Sequence, residues 1–273
     1  VSKAEAAKKE IEQEHPGAKL DVIRLDNMDL SSVRAFASAF KSKYDRLDLL
    51  VNNAGIMAQP LTASKDGFDV QFQSNHLAHF LLTSLLWDTL VKTGGARVVQ
   101  HSSGAHLMGT FSRKRMEKPN VTCKWCIPVH CLFSILGMPQ GHWRRYGMSK
   151  LCNMLFGMEL QRRIEAAGLG SKVMCTMAHP GVAITQLQHV AGEAGGTNAW
   201  LESMNQKNGQ SAADGSLPLL MACVGNVEGA TFLGPEKWMT GPPKIQKPGG
   251  YSKDKAMAKD LWSYSEECCG IKF

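Results

Sequence analysis

Tyr146 and Lys150 stand four residues apart in the run YGMSK. On a helix that spacing puts both side chains on one face. An ammonium beside a phenol favours the phenolate and lowers a pKa that is ordinarily about 10. A phenol tuned in this way suits general acid–base work near neutral pH. The same spacing arises on ordinary exposed helices, so the pair alone does not separate an enzyme from a surface. A second candidate is CKWCIPVHC, Cys123 to Cys131, whose Cys-x-x-Cys step with His130 and Cys131 contains zinc-ligand types. No second Cys-x-x-Cys accompanies it, and His130 and Cys131 are sequence neighbours, an awkward geometry for one tetrahedral site. An irregular segment with free thiols is the better reading, and no metal is expected.

The elements that must position Tyr146 and Lys150 follow from periodicity. Helix formers fill residues 2–14 and stop at Pro16-Gly17. A short strand is expected in AKLDVIRLD, then a helix from the capping residues of DLSSVRAFASAFKSKY. LDLLV reads as a strand entering NNAG, and residues 66–95 as one long apolar helix stopping at Gly94-Gly95. ARVVQ is a strand entering HSSG, and YGMSKLCNMLFGMELQRRIEAAG a helix ending at Gly168. SKVMCTMA is a strand entering HPG, followed by a helix through Pro218, the short strand ATFLG and a terminal helix. Strands alternating with helices imply a doubly wound, parallel α/β sheet, read as one domain over residues 1–273. Ligands of such sheets bind beyond the carboxyl ends of the strands. NNAG, SSG and HPG each follow a predicted strand, so they are expected to line one cleft.

The bulk numbers fit this reading. The chain has 273 residues, 44% of them hydrophobic and 20% charged, which marks it as globular and not disordered. The net charge of +7 is spread out apart from Arg113-Lys114-Arg115 and Arg144-Arg145, so a solvated surface is favoured over nucleic-acid binding. Eight scattered cysteines do not resemble a disulfide framework, and a reducing compartment is expected, cytoplasmic or at a membrane surface. Neither a signal peptide nor an eighteen-residue apolar run is present in this sequence.

VNNAG (51–55), SSG (102–104), YGMSK (146–150) and HPGVAIT (179–185) occur in the order found in short-chain dehydrogenases/reductases. DGFDVQFQSNHLAHFLLT, YGMSKLCNMLFGMELQRR and LWSYSEECCGIKF resemble the retinol-dehydrogenase-like branch of that family. The likeness covers about residues 1–100 and 144–273. It implies a Rossmann-like fold and hydride transfer between NADP(H), with NAD as the other option, and a lipophilic aldehyde, ketone or alcohol. Tyr146 is then the acid–base and Lys150 its partner on the nicotinamide ribose. Ser103 holds the substrate oxygen, with Ser102 as fallback, and the Asn75 side chain holds a water that links Lys150 to solvent. The resemblance places Asn53, Ala54 and Gly55 on the adenosine side, with Asp26 and, less typically, Asn27 at the adenine. Pro180, Gly181 and Thr185 meet the nicotinamide carboxamide. His76, His79, His101 and His106 are read as structural or surface residues. The family resemblance also allows a homo-oligomer and leaves membrane association open.

Two departures stand out. No Gly-x-x-x-Gly-x-Gly lies near the start, where the family holds the pyrophosphate, and residues 1–14 look like the helix after the second strand. The first strand, first helix and second strand are therefore expected to be absent, which interrupts the sheet and leaves LDLLV as an exposed edge. On that expectation the chain folds poorly and holds dinucleotide weakly, and the alternative function is a non-catalytic remnant. Ser103 and Tyr146 are also 43 positions apart, and an irregular insert is expected at about 105–143, either a substrate lid or an intron translated in frame.

Overall fold

The protein is described from a computed structural model that covers residues 1–116 and 139–273; the Cys123–Cys131 segment lies outside the described residues. Strands β1 (Leu49–Asn52), β2 (Ala96–His101), β3 (Val173–Ala178) and β4 (Phe232–Pro235) lie side by side and parallel, in that order. The register sets Val51 beside Val99, Val98 beside Cys175, and Met177 beside Phe232. Strand β5 (Pro243–Gln246) closes the sheet antiparallel to β4. The sequence reading had no β5, because its central residues are exposed and carry no apolar alternation.

The segment AKLDVIRLD forms no strand, contrary to expectation. A strand is defined by its ladder, and a short apolar alternation cannot supply one without a partner. Among the described residues, strand β1 pairs with β2 on one side and is the terminal strand of the sheet on the other. The expected exposed edge is therefore present: Leu50 and Asn52 are buried, while Leu49 and Val51 remain partly open.

Helices α1 (Ser2–Glu14) and α2 (Leu30–Lys43) match the sequence reading, with Asp29 capping α2 through the Ser31 and Ser32 amides. The expected long helix starts later and is broken. Asp69 caps α3 (Val70–Phe72), a π-helical turn follows at Gln73–Leu77, then α4 (Ala78–Leu85), a break at Leu86 and α5 (Trp87–Thr93). The region expected to be irregular from residue 105 opens with a 3-10 turn at Gly104–Met108 and a short helix, α6 (Arg113–Met116). Helix α7 (Gln140–Ala166) begins well before Tyr146. Helices α8 (Gln186–Glu193) and α9 (Ala199–Asn208) were not expected from sequence. Helices α10 (Ala212–Val224) and α11 (Lys255–Cys269) complete the layers, and α10 carries Pro218 inside it as expected.

The core lies where α4, α7 and α11 meet. Phe80 packs edge-on to Trp262 at 5.2 Å and against Phe156 at 5.3 Å, and Phe273 stacks on Trp262 at 4.9 Å. Truncating a buried ring such as Phe80 to alanine costs about 3–5 kcal/mol in transfer and cavity terms. This core clamps the middle of α7, the helix that carries Tyr146 and Lys150. Among the described residues, no helix is long and apolar enough to cross a membrane.

Candidate active site

The carboxyl ends of β1, β2 and β3 deliver NNAG, SSG and HPG to the first turns of α7. Ser102 follows β2 and is buried; its hydroxyl donates to the Lys150 carbonyl at 2.8 Å. It locks helix to strand and is not the residue at the phenol. Ser103, one position on, faces the opposite way, as a one-residue step along extended chain requires. Its hydroxyl accepts from the Ala105 amide at 3.2 Å, and it acts on the Tyr146 phenol in the direction that favours the phenolate. The fallback serine is thus engaged with the backbone of α7, while Ser103 is not.

Lys150 is buried, and its Nζ donates to the His101 carbonyl at 3.2 Å. Asn153, one turn further along α7, donates to the same carbonyl at 3.0 Å. The Lys150 Nζ stands 5.9 Å from the centre of the Tyr146 ring. The expected depression of the phenol pKa is not found. Burial pushes the Tyr146 phenol up to about 12, against the opposing influence of Ser103. Burial also brings Lys150 down to about 8. Desolvation disfavours both charged forms, and at this separation it outweighs their mutual attraction.

Asn75 sits in the π-helical turn, a local irregularity often found where a helix serves a site. Its Oδ1 accepts from the Ile56 amide at 2.8 Å, and its Nδ2 donates to the Ile56 carbonyl at 2.9 Å and to the Ser149 hydroxyl at 2.8 Å. The Asn75 side chain staples the loop after NNAG to α7. Gly55 lies beside this staple. A Cβ there would stand 3.0 Å from Asn75 Oδ1 and 3.3 Å from Lys150 Nζ, so glycine keeps the backbone close to both groups.

The remaining positions divide. Pro180 and Gly181 form the turn after β3, beside Ser102, whose amide donates to the Ala178 carbonyl at 2.7 Å. Thr185 is exposed and caps α8 in a capping box with Gln188, so its hydroxyl is engaged locally. Asn53 and Ala54 are exposed at the end of β1. Asp26 folds back to accept from the Met28 amide at 2.9 Å. Asn27 turns inward, reaching the Ser74 carbonyl and His79 Nε2, each at 3.3 Å.

The four histidines read as structural or surface are structural in the main. His76, His79 and His106 are buried; burial holds His76 and His79 near 3 and lowers His106. His106 Nδ1 lies 2.6 Å from the Ser103 carbonyl, a link that sequence could not reveal because it depends on the 3-10 turn. No cluster of three metal-ligating side chains occurs among the described residues.

An apolar wall adjoins the phenol. Met57, Ala58, Ala105 and Ala191 are buried around Tyr146, with Met108, Trp143 and Leu187 packed against them. Trp143 meets Tyr146 edge-on at 5.8 Å, and its indole donates to the Gly196 carbonyl at 2.7 Å. The contribution of α8 and the following turn to this wall was missed in the sequence reading, which had no helix there.

A buried ammonium, a buried phenol and the close backbone of Gly55 stand together, a set whose chemistry fits a nicotinamide dinucleotide. The short chain dehydrogenase family model matches residues 1–114. Human retinol dehydrogenase 13 is 32% identical, in an alignment covering 100% of this chain and 75% of that one. The short-chain dehydrogenase/reductase drtF of Aspergillus calidoustus is 34% identical over 97% of this chain and 82% of its own length. A crystal structure of a putative uncharacterized protein from Mycobacterium Paratuberculosis superposes with a TM-score of 0.70 at 32% identity, covering 98% of this chain and 82% of that one. The NADPH-bound carbonyl reductase from chicken fatty liver shares the fold at a TM-score of 0.52 and 19% identity, over 87% of this chain and 82% of that one. These relatives align along nearly all of the chain, and the N-terminal loss suggested by sequence is not among what the alignments show.

Proposed function

We propose that this chain, which belongs to the short-chain dehydrogenase/reductase family and is an NAD(P)-dependent oxidoreductase of the retinol-dehydrogenase type, uses NADP(H) on a lipophilic aldehyde, ketone or alcohol. The observation that carries the reading is the buried Tyr146 phenol set in an apolar wall, with the Lys150 ammonium 5.9 Å from its ring centre. A bound nicotinamide supplies or accepts the hydride. The protein's own groups hold the substrate oxygen and move its proton.

In the reductive direction, Ser103 donates to the carbonyl oxygen and orients it. Tyr146 gives that oxygen a proton as the alkoxide forms. A phenol kept protonated by burial is suited to the donor role. Lys150 then faces a nascent phenolate, and its ammonium stabilises that charge more strongly in a dry site than in water. The His101 carbonyl, shared with Asn153, keeps the ammonium on the site side of α7. Lys150, Pro180 and Gly181 are the residues that would hold the nicotinamide half, with Asp26, Asn27, Asn53, Ala54 and Gly55 towards the adenosine.

The substrate class is supported by the wall of Met57, Ala58, Ala105, Trp143 and Leu187, which offers apolar contact beside the phenol. The preference for NADP draws support from the NADPH-bound structure that shares the fold. Cys152, Cys175, Cys223, Cys268 and Cys269 stand as free thiols, which supports a reducing compartment. The test is a steady-state assay of NADPH and NADH oxidation with retinaldehyde, decanal and acetaldehyde. Turnover of the long aldehydes with NADPH, and its loss in Tyr146→Phe, is expected. Turnover confined to acetaldehyde, or unchanged in the variant, would overturn the reading.

A further inference from the structure

We propose that His179 is a positioning residue: its imidazole mimics an Asx-turn and fixes the Pro180–Gly181 turn at the height the nicotinamide side requires. The proposal rests on the dinucleotide reading above.

The geometry defines one tautomer. The Gly181 amide donates to His179 Nδ1 at 3.2 Å, and an amide N–H can only donate, so Nδ1 carries no proton. Nε2 lies 2.7 Å from Gln246 Oε1. The other end of that amide donates to the Pro235 carbonyl at 2.6 Å, which fixes the orientation of Gln246 and leaves its oxygen to accept. Nε2 therefore bears the proton. The ring is stacked on Phe232 at 5.2 Å and lies 4.7 Å from Trp238. A Cβ on Gly234 would stand 2.0 Å from Nε2, so the strand behind is shaped to admit the ring. Burial brings His179 down to about 4, which keeps this tautomer neutral at physiological pH.

Three successive residues of the turn are held, one by the preceding His179 and the other two by two distant segments. Gln210 Nε2 donates to the Pro180 carbonyl at 2.9 Å, His179 takes the Gly181 amide, and the Val182 amide donates to the Met239 carbonyl at 2.8 Å. Gly181 has φ of +65°, and a Cβ there would meet the Met239 carbonyl oxygen at 2.2 Å. The bond from Nδ1 to the amide two residues on is the one an asparagine side chain makes in an Asx-turn.

This predicts an inverted order of conservative variants. His179→Asn keeps an acceptor for the Gly181 amide and loses the contact with Gln246. His179→Gln keeps a donor for Gln246 and loses the acceptor. Both lose the ring stacking, and a packing role alone gives no reason for the Gly181 amide to be protected in one and not the other. The experiment is hydrogen exchange of the Gly181 amide in the chain without dinucleotide, together with calorimetric NADPH titration and thermal unfolding of each variant. Protection of Gly181 is expected in the parent and His179→Asn, and its loss in His179→Gln. NADPH affinity is expected to fall about five- to tenfold further in His179→Gln than in His179→Asn, about the effect of one hydrogen bond. Equal Gly181 exchange in the two folded variants would overturn the proposal. Absence of NADPH binding by the parent chain would instead overturn the dinucleotide reading, with the exchange contrast still deciding the role of His179.

Discussion

Around Lys150 the polar groups are enclosed and held: Ser102 and Asn75 each bridge two segments, and Asn153 shares a carbonyl with the lysine. On the opposite flank, Asn53 and Ala54 are exposed, β1 is the edge of the sheet among the described residues, and residues 18–28 form no strand. That flank is the adenosine side of the proposed site. The two regions differ in what fixes them. The first is fastened by the aromatic core beneath α7 and by hydrogen bonds between segments. The second relies on local contacts such as Asp26 to Met28, and on Asn27 reaching His79. Chemistry at the phenol and affinity for the dinucleotide should therefore respond to different substitutions.

The largest separation is expected from Tyr146→Phe. It removes the proton donor and should lower turnover about 10²–10⁴-fold while leaving the melting temperature nearly unchanged. Rate assays beside thermal unfolding read both quantities, and comparable losses of the two would erase the contrast between site and scaffold. Gly55→Ala comes next. The added methyl would crowd the Asn75 staple and Lys150, and a loss of about tenfold or more in kcat/KM is expected. Calorimetry should show the fold retained. Asn27→Ala should act on the other flank: it loosens residues 18–28 from α4 and should raise the KM for NADPH a few-fold with kcat unchanged.

Acid should act on the enclosed region first. His76, His79 and His179 are buried, and burial lowers them from 6.5 to about 3, 3 and 4. Between these values and 6.5 the unfolded chain binds more protons than the folded one, so stability falls with pH. The loss should begin as pH drops through 6.5 and flatten near 3, at up to about 1.4 kcal/mol per pH unit for each histidine. Urea unfolding at pH 7, 6, 5 and 4 measures it; a flat profile would mean that these rings are not neutral and enclosed. The smallest effect concerns the open edge. Val51→Lys, on the partly exposed side of β1, should reduce concentration-dependent association with little change in turnover, as light scattering would show.

The legible parts of the molecule were those written in local pattern. Strong apolar runs gave β1 to β4, and Asp29 and Gly168 marked helix ends, so the parallel sheet could be read directly. The order of NNAG, SSG, YGMSK and HPG let the candidate site residues be read as a set. Other features depend on neighbours. AKLDVIRLD alternates like a strand but has no ladder partner, and β5 exists only because β4 offers it an edge. The π-helical turn at Asn75 is stabilised by Ile56 and Ser149, both distant in sequence from its own helix. The Tyr146 phenol was misjudged for the same reason. Spacing showed a lysine nearby, but the desolvation that raises the phenol comes from Met57, Ala105 and Ala191, contributed by three other segments.

The central claim is that the enclosed constellation serves a nicotinamide dinucleotide despite the open flank. Calorimetric titration of the chain with NADPH, with NADH and with the Lys150→Met variant alongside, tests it most directly. Dissociation constants on the order of micromolar for NADPH, at least about tenfold weaker for NADH and for the variant, are expected. A folded chain that takes up no heat with either dinucleotide would contradict the account.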